Sequence, residues 1–231
     1  LINLLFNKTP VMKKILLVLL FAAVAQISIA QDFKKVKIAV GILKWEDAKT
    51  EIDKLANDPK AKDKPEFYYY QSRIYAAIFK DAALRAKYPN ASQVAAASLE
   101  KYASMDPGFT KIKELGGVEP YFDLYGTYFQ AGVNVFNEKS WVPAAENFLK
   151  AIKYIDIIIQ NKWAASSTIT MDTTALLYTG YAFQNANQMD KAATYYGRLA
   201  DSKVNEAIYL DLYRFLVQHY TKTNNEASFF K

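Results

Sequence analysis

The side chains able to do chemistry are few. Histidine occurs once, at His219, and cysteine does not occur. A thiol nucleophile, a disulfide framework, a cysteine zinc site and a lipid-modified cysteine are therefore excluded, as is a metal centre built on several histidines. A lone histidine can act as a base, but no carboxylate stands at motif spacing from His219, which shares a helix face with Leu212 and Leu216. Carboxylates gather at Glu46, Asp47, Glu51 and Asp53, interleaved with Lys44, Lys49 and Lys54. Mixed charges at spacings of three and four describe a solvated helix face. Ser166-Ser167 lacks the glycines of a nucleophile elbow. Gly116-Gly117 has no strand before it, so it forms no phosphate loop or dinucleotide fingerprint. Asn90-Ala91-Ser92 fits a glycosylation sequon, but reads better as a helix start. The residue types imply no enzyme and no cofactor.

Aromatic residues are what the chain has in excess, with 17 tyrosines among 231 residues. Most are expected to fill the space between helices, with their hydroxyls at the edge. The elements that hold them are read as helical. The chain is 52% hydrophobic with only 8 glycines and 7 prolines, which disfavours a turn-rich β fold. Its formal charge is +6. Three of the 29 basic groups, Lys8, Lys13 and Lys14, lie in the first thirty residues with no acid, leaving 26 basic against 23 acidic. Bases and acids alternate without forming a stripe, so no nucleic acid is expected as partner.

Residues 1–30 read as a leader. Lys13-Lys14 precedes the uncharged apolar run Ile15 to Ala25, followed by Ser28 and Ala30 at small-residue positions. This is the layout of a secretory signal peptide with cleavage after Ala30. The apolar run is too short to span a bilayer. Met12 is the natural start, with Leu1 to Val11 upstream. A periplasmic or secreted protein with no membrane span after cleavage is expected, its mature part covering residues 31–231.

An internal pattern recurs through that part. It reads Trp45, Ala48, Ile52, Leu55; then Trp141, Ala144, Phe148, Ala151; then Met189, Ala192, Tyr196, Leu199; and more weakly Ser92, Ala95, Leu99, Tyr102. Spacings of three and four place each set on one helix face. Gly132 stands twelve residues before Ala144, and Gly180 twelve before Ala192. Tyr128 and Leu176 precede these glycines by four, and Val135 and Phe183 follow by three. The alternation of large, small and aromatic positions resembles the tetratricopeptide repeat, best over Leu176 to Leu199 and next over Tyr128 to Ala151. The alanines recur at intervals of 47, 49 and 48 residues, longer than the family's 34, so the array is degenerate. Helices are expected near 32–43, 45–57, 65–87, 91–105, 119–138, 140–160, 172–187, 189–202 and 204–223, with a last one starting near Asn225.

The resemblance implies an all-α solenoid of antiparallel helix pairs, with first helices lining a concave groove. One face of those helices carries Tyr69 and Arg73; Phe129, Val133 and Asn137; Tyr181, Gln184 and Asn185; and Leu216, His219 and Tyr220. Aromatics mixed with amides suit recognition of a peptide or protein segment. A second reading is a glycan- or small-ligand-binding protein of nutrient uptake on a similar scaffold. Residues 204–223 read as the first helix of a pair whose second helix barely begins before Lys231. The chain is therefore expected to be incomplete at its C-terminus, or to self-associate through the open repeat.

Overall fold

The computed structural model describes residues 33–166 and 169–225. The leader and the segment from residue 226 onward lie outside the described residues, as do Ser167 and Thr168. Among the described residues the chain is all helix, loop and turn, with no strand. It divides into two compact units, with the boundary between Leu115 and Gly116.

The first unit holds α1 (33–41), α2 (Trp45–Leu55), α3 (Pro59–Lys62), α4 (Pro65–Lys80), α5 (Ala82–Lys87), α6 (Ala91–Met105) and α7 (Ile112–Leu115). Helix α4 is its axis, packing against α2 and α6 and burying Phe67, Tyr69, Tyr70, Ile74, Ile78 and Phe79. The helix expected over 65–87 is broken at Asp81. Its ψ of 124° is extended, and its carboxylate accepts from the Leu84 amide, capping α5. A local cap outcompetes helix continuation there. Pro59 starts the short α3 beneath an Asp58 cap, and the stretch between the helices expected over 91–105 and 119–138 contains α7.

The second unit holds α8 (Glu119–Asn137), α9 (Trp141–Gln160), α10 (Thr173–Asn185), α11 (Met189–Asp201) and α12 (Leu210–Lys222). Each helix packs on the next in chain order. The helix expected from residue 204 begins as a 3-10 turn at Ala207–Tyr209 and becomes α12 at Leu210.

One turn recurs between paired helices. Leu43, Lys139 and Asn187 adopt left-handed φ values of 59°, 59° and 58°. The next amide closes back onto the first helix: Lys44 to the Ala39 carbonyl, Ser140 to Val135 and Gln188 to Phe183, each at 2.9 Å. This satisfies the last carbonyls of the first helix. Two residues past each left-handed residue the second helix starts, at Trp45, Trp141 and Met189. A connection this short makes the two helices antiparallel neighbours.

The repeated small residues sit where paired helices meet. Five residues past the turn, Ala48, Ala144 and Ala192 are 0% exposed. Seven residues before it stand Val36, Gly132 and Gly180. A Cβ on Gly132 would lie 2.6 Å from the Phe148 ring, and one on Gly180 2.1 Å from the Tyr196 ring. The aromatic sixteen residues on occupies the volume that glycine leaves, which explains a mid-helix glycine despite its cost of about 1 kcal/mol against alanine.

Candidate binding cleft

Helices α10 and α12 frame an open cleft of about 420 Å³ lined by Tyr181, Gln184, Asn185, Asp211, Arg214, Phe215 and Gln218. Its floor is aromatic. The Tyr181 ring meets Tyr196 edge-on at 5.9 Å, Tyr196 meets Phe215 at 5.1 Å, and Phe215 stacks on His219 at 5.8 Å. Tyr196 lies at the centre of this row, fully buried, because Gly180 lets its ring approach α10 closely. From there its hydroxyl donates to Gln184 Oε1 at 2.8 Å. Burial, more than the neighbouring Tyr181 and Asp211, pushes the Tyr196 phenol well above its ordinary range, and burial likewise raises Tyr181. Both stay neutral donors at physiological pH.

The two amides are thereby oriented. With Oε1 of Gln184 accepting from Tyr196, its Nε2 remains as a donor. Asn185 Nδ2 donates to the Tyr181 carbonyl at 2.8 Å, which leaves its Oδ1 to accept. One donor and one acceptor side by side match the alternating carbonyl and amide of an extended peptide. At the rim, Arg214 and Asp211 pair at 3.1 Å, both largely exposed. Such a pair contributes little to stability and can exchange partners with a charged ligand.

The residues expected in a groove are not all brought together. Tyr181, Gln184 and Asn185 share the cleft. Phe129 is half-buried on α8, its ring 5.6 Å from Phe148 and 6.4 Å from Tyr178, and Asn137 is exposed near the end of that helix. His219 stacks behind Phe215 and lies outside the cleft lining, its Nε2 3.4 Å from Asp190 of α11. In the first unit Tyr69 is 1% exposed with its ring against Tyr70 and Tyr102, and so forms part of the core. Arg73 lies over the Trp45 ring at 5.7 Å.

Four lining residues escaped the sequence reading: Asp211, Arg214, Phe215 and Gln218. The signal was the register of α12. Its turn residue is Asn224 (φ 51°), so the positions that carry Tyr181 and Asn185 on α10, six and two before the turn, fall on Gln218 and Lys222. Val217 stands where α8 and α10 have glycine, which hid that register.

In the acidic cluster of α2, Asp47 and Glu51 make local pairs with Lys44 and Lys54, while Glu46 and Asp53 act as tethers. Glu46 accepts from Lys87 Nζ at 2.6 Å and Tyr88 hydroxyl at 2.8 Å, and Asp53 accepts from Lys49 at 2.7 Å and Tyr75 at 2.8 Å. Lys87, then Tyr88, holds the Glu46 carboxyl below its ordinary value. Burial and then Asp53 push Tyr75 up to about 12. These bonds tie α2 to α4 and to the end of α5. Among the described residues no group of three His, Asp or Glu side chains could hold a metal ion, and no helix is long and apolar enough to cross a membrane.

Comparison of the chain with protein-family models, curated proteins and solved structures returns no match.

Proposed function

We propose that this chain is an exported, non-catalytic scaffold of the tetratricopeptide kind that holds an extended peptide segment of a partner protein. The observation that carries the reading is the α10–α12 cleft. It combines an aromatic floor of Tyr181 and Phe215, the oriented amides of Gln184 and Asn185, and a charged rim of Asp211 and Arg214. Rings supply contact area at low entropic cost, and the amides fix the backbone of the guest. Support for the scaffold comes from the repeated turn and the glycine–aromatic pairs Gly132–Phe148 and Gly180–Tyr196. Support for export comes from the leader pattern of residues 1–30. Display selection of random peptides on the protein, run beside a glycan array, tests the ligand class. Enrichment of peptides that lose binding with Tyr181→Ala is expected. Glycan binding with no peptide enriched would refute it.

A further inference from the structure

Helix α1 has an inner and an outer side. Phe33, Val36 and Ala39 are 2%, 0% and 7% exposed, and the Phe33 ring meets Tyr70 of α4 at 6.5 Å. At 3.6 residues per turn, Lys34, Lys35, Ile38 and Ile42 fall on the opposite side, within roughly 100° of arc. Ile38 is 54% exposed, Ile42 59%, and Leu43 in the following turn 64%. We propose that this outer face and turn dock the chain on an anionic lipid surface, with Ile38, Ile42 and Leu43 entering the headgroup layer and Lys34, Lys35 and Lys44 meeting its phosphates.

The turn shows that these apolar residues are not there for the fold. Leu43 holds φ at 59°, a region that large side chains seldom adopt. The same closing bond, from the amide after the left-handed residue back to the first helix, recurs at Ser140, Trp163, Gln188 and Asn225. There the left-handed residue is Lys139, Lys162, Asn187 or Asn224, and the residue before it is Glu138, Asn161, Ala186 or Thr223. Only α1 places two large apolar side chains, Ile42 and Leu43, at these positions. Leucine gains nothing from the turn, which asparagine fits better, and leaves its side chain in water. Backbone strain of this kind collects at functional positions.

The charge around the patch selects its partner. Residues 33–45 hold four lysines and no acid. Lys37 is engaged by Glu66 of α4 at 2.6 Å, which leaves Lys34, Lys35 and Lys44 around the apolar residues, all three exposed. Asp47 reaches Lys44 only at 3.9 Å, both side chains largely exposed, and Glu46 is held by Lys87 and Tyr88. Apolar side chains flanked by lysines, with Trp45 next to them, form the composition that lies in a bilayer interface. The flexible lysine stems keep their ammonium groups at phosphate level while the apolar residues go deeper. An acidic protein surface would meet the lysines but set the three apolar side chains against charge.

The chain has no cysteine, so Ile42→Cys carries a single environment-sensitive dye. Vesicles of phosphatidylglycerol and phosphatidylcholine in equal parts should shift its emission to the blue, and vesicles of phosphatidylcholine alone should not. The readout is local to α1, so it does not depend on how the leader is processed. The same dye on Val142→Cys, on exposed α9 surface, should stay unshifted. Lys34→Gln with Lys35→Gln should raise the vesicle concentration at half shift at least about tenfold, and added salt should raise it too. Leu43→Asn should raise it roughly threefold or more without lowering the urea midpoint, an effect that a merely structural leucine would not give. No shift at residue 42 with the anionic vesicles would overturn the proposal, as would an equal shift with neutral vesicles or at residue 142. A shift that appears without vesicles and fades on dilution would also overturn it, assigning the patch to a second copy of the chain.

Discussion

Replacing Gly180 by alanine tests how the cleft floor is built. A Cβ at that position would stand 2.1, 2.4 and 2.8 Å from three ring atoms of Tyr196. Carbon atoms pack best at roughly 3.5–4.0 Å, so the ring must retreat by more than an ångström. It has no room to do so, being 0% exposed and flanked by Tyr181 and Phe215. Overpacking of this kind costs about 1–3 kcal/mol, at times more, against a helix-propensity gain of about 1 kcal/mol. A net destabilisation of up to about 2 kcal/mol is expected. Gly126 is the internal control: it is exposed within α8, and a Cβ there meets nothing within 4 Å. Gly126→Ala should stabilise by about 0.4–1 kcal/mol. Urea denaturation followed by circular dichroism reads both as midpoint shifts at constant slope. In a Tyr196→Ala background the penalty of Gly180→Ala should vanish, giving a coupling of at least about 1 kcal/mol. If Gly180→Ala stabilises as much as Gly126→Ala, Tyr196 is not seated on that glycine and the positioning of Gln184 fails with it.

Three further outcomes are expected. Asp106 is buried and accepts from the Tyr102 hydroxyl, the Thr110 hydroxyl and amide, and the Lys111 amide; burial pushes its pKa up, but these bonds outweigh it and hold the carboxyl below its ordinary value. Its contribution is therefore complete above the unfolded value of about 3.9 and is lost as pH falls through the lower folded value; Asp106→Asn should cost about 1–3 kcal/mol at neutral pH and flatten stability against pH in that acid window, as acid titration of unfolding would show. Asp172 caps α10 through Ala175 and accepts from Tyr125 at 2.6 Å, so Asp172→Ala should lower stability by about 1–2 kcal/mol, read in the same urea assay, with Tyr125→Phe showing part of that loss. N-terminal sequencing of the exported product should begin at Gln31; an intact Lys13-Lys14 segment on a membrane-embedded product would contradict the leader.

Local periodicity carried most of the helices, because apolar spacing of three and four survives whatever surrounds it. The positions of Gly132 and Gly180 were legible from the same repetition, but that the rings of Phe148 and Tyr196 occupy the space they leave was not. Breaks made by side-chain caps were harder. Asp81 is flanked by helix-forming residues, and nothing local shows that its carboxylate bonds the Leu84 amide instead of facing solvent. The cleft was half legible. Tyr181, Gln184 and Asn185 follow from the α10 glycine, whereas α12 has Val217 in its place and its register is fixed only by the backbone at Asn224. Tyr69 shows the limit of projecting a face from one helix, since consecutive tyrosines 68–70 point about 100° apart and only packing decides which of them is buried.

Calorimetric titration of a display-selected peptide reads directly whether the α10–α12 cleft holds a peptide. Tyr181→Ala and Asn185→Ala should each weaken binding by more than about 1 kcal/mol, roughly a five- to tenfold rise in Kd, while circular dichroism stays that of the parent. Unchanged affinity with both residues replaced in a folded protein would place the peptide outside the α10–α12 cleft.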